Sequence, residues 1–294
     1  MNIVCFGINK RGVEILKHLI ENGYNVTAVV SEAKKSCEEF INTSKRYSIP
    51  VLTFENINLD ESYNTLKNLN ADIFLIISYN QILKDLIIKI PKLGVFNCHG
   101  GKLPEYRGSS VLNWQIIKGE KKIGISIIKV DCGIDSGAIA KEAQFRINLN
   151  DDINYVTDKS IELFKDLVID LLKDIESNRL KLKKQDEKKA QYYCKRLLDE
   201  GKINWQNMTD LEIHNLVRAL TKPACGGAFC FYNNEKIFIW RTELLKETII
   251  STPGKVCLMK DCKPIIMAKN RGILIADYEF SDSQQKLQKN FFVY

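Results

Sequence analysis

The sequence predicts an α/β protein, with a doubly wound, mostly parallel sheet over residues 1–188 and a small β-barrel-like domain over residues 189–294. Three observations carry that reading. Over the first 150 residues, short apolar runs alternate with stretches of helical period, and strands joined by helical crossovers build a parallel, right-handed sheet. From Asp152 to Ile175, apolar residues recur at three- and four-residue steps, the mark of one long amphipathic helix. Beyond Gly226, glycines punctuate short β-like runs, the pattern of a small or partly open barrel.

The elements follow in order. Asn2–Gly7 reads as a strand, Arg11–Ile20 as a helix with Val13, Leu16, Leu19 and Ile20 on its apolar face, and Asn25–Val30 as the second strand. A polar helix from Glu32 to Tyr47 leads to a short strand at Pro50–Thr53. Ala71–Ile77 and Gly94–Cys98 are further apolar strands, and Ile123–Val130 and Ala138–Ile147 flank the Gly-rich turn Asp131 to Gly137. The lysine-rich stretch Ser177–Ala190 has the composition of a linker. After it come a helix at Asp210–Leu220 and β-like runs at Ala228–Tyr232, Lys236–Trp240, Lys255–Met259, Ile265–Ala268 and Ile273–Tyr278. A ligand of such a sheet sits at the carboxyl ends of its strands, here Gly7, Ser78 to Asn80, and Asn97 to His99.

Composition narrows the class. With 45% hydrophobic and 27% charged residues the chain is not a disordered one. No apolar run approaches the ~20 residues of a membrane span, and the amino terminus lacks the basic start and apolar stretch of a secretory signal. A cytoplasmic location is expected, with no membrane partner. Nine scattered cysteines, no Cys-x-x-Cys pair and three histidines predict reduced thiols and no metal site. The formal charge of +7 suits a phosphorylated small molecule as well as nucleic acid.

The run Gly7 to Gly12 misses the Gly-x-Gly-x-x-Gly spacing, so it reads as a plain strand-to-helix turn and no dinucleotide cofactor is expected. The chemistry concentrates in Phe96-Asn97-Cys98-His99-Gly100-Gly101-Lys102-Leu103-Pro104-Glu105-Tyr106-Arg107-Gly108. Asn97 and His99, two apart at a strand end, face the same side and present an amide and an imidazole together. Gly100-Gly101 lets the backbone turn away without side chains in the approach. A carboxylate is available in the following Gly-rich turn, as Asp131 or Asp135. Such a set suits attack of an amine on an acyl or formyl carbon. Amide and protonated imidazole stabilise the oxyanion; the carboxylate holds the imidazole charged and receives the amine proton.

Together with Asn113-Trp114, Gly119-Glu120, Gly124 and Val130 to Gly137, this segment resembles the folate-dependent formyltransferase family. The resemblance implies a Rossmann-like catalytic domain, 10-formyltetrahydrofolate as cosubstrate and no metal. Its catalytic residues fall on Asn97, His99 and Asp135, with Asp131 as the second choice. Ser78-Tyr79-Asn80-Gln81-Ile82-Leu83 resembles the loop whose backbone holds the pterin ring. This gives Ser78, Tyr79, Gln81, Ile82 and Leu83, with Asp131 and Gly133, as cofactor contacts. The likeness extends through Gly201 to Trp205, Ile213 to Ala219 and Gly227 to Phe229, and fades after about residue 245. One departure stands out, Gly101-Lys102 where members of the family usually carry Ser-Leu, which leaves the turn after His99 open to change.

Two-domain members of that family formylate either methionyl-tRNA or amino sugars carried on nucleoside diphosphates. Ser31–Ile49 reads mostly as helix and holds Lys34-Lys35 but no glycine-punctuated basic run, so it is too short to reach into an acceptor stem. Asn113-Trp114 and the segment His214 to Ala219 look closer to the sugar-nucleotide enzymes. The expected acceptor is therefore a nucleotide-linked amino sugar, a glycan or lipopolysaccharide precursor. Lys102, Tyr106, Arg107 and Trp114 are its candidate contacts, and Arg107 offers a planar fork to the pyrophosphate. Methionyl-tRNA is the alternative acceptor, nucleic acid is otherwise not expected, and a homodimer stays open. A non-catalytic nucleotide- or RNA-binding module is the reading from another class; it has no need of the complete Asn97, His99, Asp135 set.

Overall fold

Five short, β-branched runs make the body of the first sheet: β1 (Asn2–Phe6), β2 (Asn25–Ser31), β3 (Val51–Thr53), β4 (Ile73–Ile76) and β5 (Gly94–His99). Residues 3–6 are fully buried, as are Phe74 and Leu75, because helices cover both faces of a parallel sheet. The structure, a computed structural model, describes residues 1–282 and 286–294. Helices α1 (Lys10–Glu21), α2 (Glu38–Arg46), α3 (Asp60–Asn68) and α4 (Asp85–Ile88) connect these strands. The chain continues through β6 (Arg107–Gly108), α5 (Val111–Ile117), β7 (Lys122–Lys129), β8 (Ile139–Arg146), α6 (Ile153–Glu176) and β9 (Tyr192–Tyr193).

The seven-stranded sheet has the order β3-β2-β1-β4-β5-β7-β8, reversing direction at β1. All pairings among β1 to β5 are parallel and β5 meets β7 antiparallel, so the expected doubly wound, mostly parallel sheet is present. Contacts divide the chain into two units, one of Met1–Gly108, Gly124–Phe145 and Lys159–Tyr192, the other of Ser109–Ile123, Arg146–Asp158 and Tyr193–Tyr294.

Local chemistry explains the boundaries. Asn9 caps α1 by accepting from the Arg11 amide at 3.1 Å. A Cβ at Gly7 would lie 2.6 Å from the Phe40 ring, so glycine lets Phe40 of α2 pack against the turn after β1. The expected helix from Glu32 starts only at Glu38. Glu32 is buried and takes the Lys34 ammonium at 2.6 Å, which holds residues 32–34 out of helical geometry. The lysine-rich stretch after α6 is bound rather than free. Lys183 exchanges both backbone hydrogen bonds with Ile139 at 2.8 Å, and Gln185 is buried.

In the second unit, α7 (Asp210–Leu220) starts at a capping box in which Thr209 and Glu212 satisfy each other's amides. An antiparallel sheet follows, from β10 (Ala228–Tyr232), β11 (Glu235–Leu244), β12 (Val256–Lys260), β13 (Lys263–Met267) and β14 (Gly272–Phe280). Its order is β10-β11-β14-β13-β12. The pairing of β11 with β14 slips around Arg241, a bulge that bends the sheet. The carboxyl-terminal tail then bonds to both edges: Tyr294 exchanges two backbone bonds with Phe231 on β10, and Asn290 and Phe291 bond to Val256 on β12. The tail thus protects both edges of the rolled sheet, the barrel-like feature read from the sequence. Among the described residues no helix is long and apolar enough to cross a membrane.

Candidate active site

Strand β5 ends in Asn97-Cys98-His99, paired with β4 on one side and β7 on the other. The pleat sends Asn97 and His99 to one face and Cys98 to the other. Burial pushes the Cys98 thiol up to about 12, opposed only by the Arg11 guanidinium, so it packs as a neutral group and is no nucleophile.

Asp135 meets the pair. Its Oδ1 accepts from Asn97 Nδ2 at 3.4 Å and lies 3.5 Å from His99 Nδ1, while its Oδ2 accepts from the Gly108 amide at 2.9 Å. All three sequence-selected residues therefore converge on one carboxylate. Asp135 reaches them from a left-handed backbone, φ 51°, at the tip of the Gly-rich turn. That turn is tight. A Cβ at Gly137 would sit 1.9 Å from the Lys129 carbonyl oxygen, and one at Gly133 would sit 2.1 Å from Ser136 Oγ. Asp131 is exposed, and its Oδ1 accepts from the Gly133 amide at 3.0 Å and from Ser136 Oγ at 2.7 Å. Asp131 therefore shapes the turn that presents Asp135.

His99 Nε2 donates to the Tyr106 carbonyl at 2.6 Å, since a carbonyl can only accept. With Nδ1 toward Asp135, both ring nitrogens are directed at protein groups. The hydrogen left for an oxyanion is the second one of the Asn97 amide. Gly101 makes the closure after His99 tight, because a Cβ there would lie 2.3 Å from the Tyr106 carbonyl oxygen and 2.6 Å from His99 Nε2. The Gly101-Lys102 departure is therefore accommodated by a closer turn. Lys102 reaches out to Glu105 at 3.0 Å and is partly exposed, and the Tyr106 side chain is buried.

Arg107 is a correction. It was expected to meet a pyrophosphate, but its side chain is 0% exposed. Its Nε and Nη2 donate to Gln185 Oε1 at 3.1 and 2.9 Å. Nη1 donates to Glu187 Oε2 at 2.9 Å and Tyr192 Oη at 2.7 Å, and Nη2 also to Glu187 Oε1 at 2.7 Å. All five guanidinium hydrogens are engaged, which leaves none for a phosphate. Glu187 pushes the guanidinium further above its already high ordinary value. Gln185, missed in the sequence, completes a clasp: its Nε2 donates to the carbonyls of Asp135 and Gly137, both at 2.7 Å. The only trace of it in the sequence is an uncharged amide inside a run of charged residues.

The Ser78 to Leu83 segment follows β4. Ser78 Oγ accepts from Asn9 at 2.9 Å, and Gln81 pins the segment from behind, taking the Ile57 amide at 2.8 Å and donating to the Phe54 carbonyl at 3.1 Å. Leu83 is buried, Ile82 is 69% exposed, and the Tyr79 hydroxyl is buried with no partner among the described residues. Burial first, and then the Glu32 carboxylate, push that phenol up to about 12. Trp114 belongs to the second unit, where its Nε1 donates to the Cys194 carbonyl at 3.0 Å.

Comparison with known proteins places this geometry. The family model described as formyl transferase matches residues 1–172, and the one described as formyl transferase, C-terminal domain, matches residues 198–292, so the likeness runs well beyond the residue 245 expected from the sequence. The methionyl-tRNA formyltransferase of Caldanaerobacter subterraneus subsp. tengcongensis is 32% identical over 270 residues, 89% of this chain and 86% of that protein. Two solved structures share the fold. WlaRD, a sugar 3N-formyl transferase determined with dTDP and 5-N-formyl-THF, has a TM-score of 0.71 at 21% identity, covering 96% of this chain and 98% of its own. The N-formyltransferase of Helicobacter canadensis, with folinic acid and dTDP-3-aminofucose, has a TM-score of 0.70 at 21% identity over 94% and 99%. A family match across more than half of the chain, a relative 32% identical over 89% of it and a shared two-part fold make this protein a member of the formyl transferase family, an enzyme of formyl transfer.

Proposed function

We propose that the protein transfers the formyl group of 10-formyltetrahydrofolate to the amine of a nucleoside-diphosphate-linked amino sugar. The observation that carries the chemistry is the convergence of Asn97 and His99 on Asp135 Oδ1. The amine nitrogen attacks the formyl carbon, forming a C–N bond while the carbonyl oxygen gathers negative charge. The unengaged Asn97 hydrogen steadies that charge. Asp135 takes a proton from the attacking nitrogen, and His99 Nδ1 stands behind it to share that proton. The bond from the formyl carbon to N10 then breaks, and N10 leaves with the proton. The products are a formamide and tetrahydrofolate, and atoms and charge balance. The Ser78 to Leu83 segment suits the pterin, since Gln81 holds its backbone in place and Ile82 is exposed.

The acceptor rests on the segment between β2 and β3. It folds down as α2 with Cys37 and Phe40 buried, and its Lys34 is paired with Glu32, so it offers no basic loop to enter an acceptor stem. The likeness to sugar N-formyltransferase structures supports the same reading. Methionyl-tRNA is the second reading, favoured by the 32% identical relative.

The deciding experiment incubates the protein and 10-formyltetrahydrofolate with dTDP-, UDP- and GDP-linked amino sugars and with Met-tRNA, reading products by mass. A sugar product whose apparent affinity weakens only modestly between 50 and 200 mM salt is expected. Formylation of Met-tRNA alone, with affinity falling ~10³–10⁵-fold over that range as many phosphate contacts are lost, overturns the acceptor.

A further inference from the structure

We propose that Gln185 is a positioning residue of the formyl-transfer site, whose single side-chain amide holds the Gly-rich turn where Asp135 can meet Asn97 and His99. The proposal rests on the proton-accepting role given to Asp135 above, and it is the same whichever amine is formylated.

The turn needs a hold from outside itself. Backbone bonds fix its two ends, with the Val130 amide on the Val95 carbonyl at 2.8 Å and the Lys129 amide on the Ala138 carbonyl at 2.9 Å. From Asp131 to Gly137 no backbone group bonds to another backbone group among the described residues. Residues 131–134 are exposed. Asp131 accepts from the Gly133 amide and from Ser136 Oγ, which shapes the tip but ties it to no other segment. Asp135 itself sits at φ 51°, a conformation that costs a non-glycine residue energy and persists only where the surroundings impose it.

Gln185 supplies that hold. Its Nε2 donates to the Asp135 and Gly137 carbonyls, both at 2.7 Å, and so spans Ser136 between them. The direction of the amide is fixed by its neighbours: Arg107 offers only donors to Oε1, and the two carbonyls offer only acceptors to Nε2. Gln185 is buried, so water competes little for these bonds. Two residues earlier, Lys183 exchanges both backbone bonds with Ile139 at 2.8 Å, and its ammonium meets Glu142 at 2.8 Å, which sews the segment to β8.

The same side chain joins two loops of the site. Its oxygen receives Arg107, which stands between Tyr106, whose carbonyl takes His99 Nε2, and Gly108, whose amide takes Asp135 Oδ2. Its nitrogen holds the backbone of Asp135. Carboxylate and backbone of Asp135 are thereby set against one three-residue run. The margin is narrow, because Asp135 Oδ1 lies 3.4 Å from Asn97 Nδ2 and 3.5 Å from His99 Nδ1, at the far limit of a hydrogen bond. An outward shift of the turn by ~1 Å breaks both contacts, and a misplacement of that size costs ~10²-fold in rate.

The test uses two near-isosteric variants of the full chain. Gln185→Glu keeps an acceptor for Arg107 but turns an oxygen toward the two carbonyls, and Gln185→Met is neutral and removes donor and acceptor together. Both are assayed with 10-formyltetrahydrofolate and whichever of the amino sugars or Met-tRNA the wild type formylates. In both, kcat should fall ~10–100-fold while KM for 10-formyltetrahydrofolate stays unchanged. The second readout is amide exchange by NMR in protein labelled with ¹⁵N-glycine. The Gly108 amide, bonded to Asp135 Oδ2, should exchange at least ~10-fold faster in both variants, and the Gly7 amide, bonded to the Val30 carbonyl at 3.0 Å, should not change. Gly7 and Gly108 loosening together would make Gln185 a structural residue only and overturn the proposal. A loss of turnover in Gln185→Glu alone would place the effect in the added charge, and full turnover in Gln185→Glu would place it in the support of Arg107; either result overturns it. Asp135→Asn with full turnover overturns the catalytic reading instead, and the Gly108 exchange still decides whether Gln185 holds the turn.

Discussion

Around Arg107 every guanidinium hydrogen is bonded within the fold, whereas around Arg196 one buried donor is left empty beside a cavity. Both lie beside an aromatic ring, Tyr192 at 5.4 Å and Trp114 at 4.9 Å. The difference is how many of the guanidinium hydrogens are bonded. Glu187 and Gln185 neutralise and saturate Arg107, so it works inward and fixes the loops around Asp135; Arg196 donates to a carbonyl and lies over a ring, and the Glu200 carboxylate acts on it without a direct ion pair. Saturation thus separates an arginine that holds the site together from one with a donor left unbonded.

The comparison breaks most visibly in stability. Arg107→Ala empties a buried volume and leaves Gln185 Oε1 without its donors, so it should cost ~3–5 kcal/mol in unfolding free energy, with cavity and unsatisfied acceptor adding. Arg196→Ala should cost under ~1 kcal/mol, because removing it also removes a buried unsatisfied donor. Denaturant melts of the two variants check this. Equal losses would mean that saturation does not separate the two roles.

The next largest effect belongs to what the Arg107 clasp holds. Asp135→Asn is nearly isosteric and keeps the Gly108 contact, but it cannot take a proton, so turnover should fall ~10²-fold or more with melting unchanged. His99→Ala and Asn97→Ala should fall by a similar factor, read in a single-turnover assay on folded protein. An Asp131→Asn variant worse than Asp135→Asn would move the catalytic role to a residue that here only shapes the turn.

How much of this is legible in the sequence follows from the range of each interaction. Asn97 and His99 are a local signal, two residues apart on one strand, and Gly133 and Gly137 mark the turn bearing Asp135. The sheet is legible for the same reason, since its apolar runs and helical periods are local. Arg107 is misread because its partners lie 78 to 85 residues away, in a lysine-rich run whose composition resembles a solvated linker. The start of α2 is misread because a buried Glu32 overrides the helical pattern of its neighbours. The tail that covers both edges of the second sheet carries no periodicity in Asn290 to Tyr294 and is visible only through its pairings.

The smallest expected effect sharpens the comparison from the carboxylate side. Glu187 is 61% exposed, and its hydrogen bonds to Arg107 come first in holding its carboxyl below the usual range, ahead of the opposing effect of burial. A carboxyl with a lowered folded-state value is favoured by the fold in its charged form. Its contribution is complete above the ordinary carboxylate value, and is lost as pH falls through the lowered one. Glu187→Gln keeps one acceptor for the guanidinium and removes the charge. At pH 7 it should lower the melting temperature by no more than about 2–4 °C, the scale of a partly exposed ion pair. That gap should close as the wild type is taken to acid, where its own carboxyl is protonated, because the two side chains are then both neutral. Melts from pH 7 downward measure it. A gap that persists undiminished below pH ~2 would place the support of Arg107 in the shape of the Glu187 side chain rather than in its charge, and the contrast with Arg196 would then be one of packing.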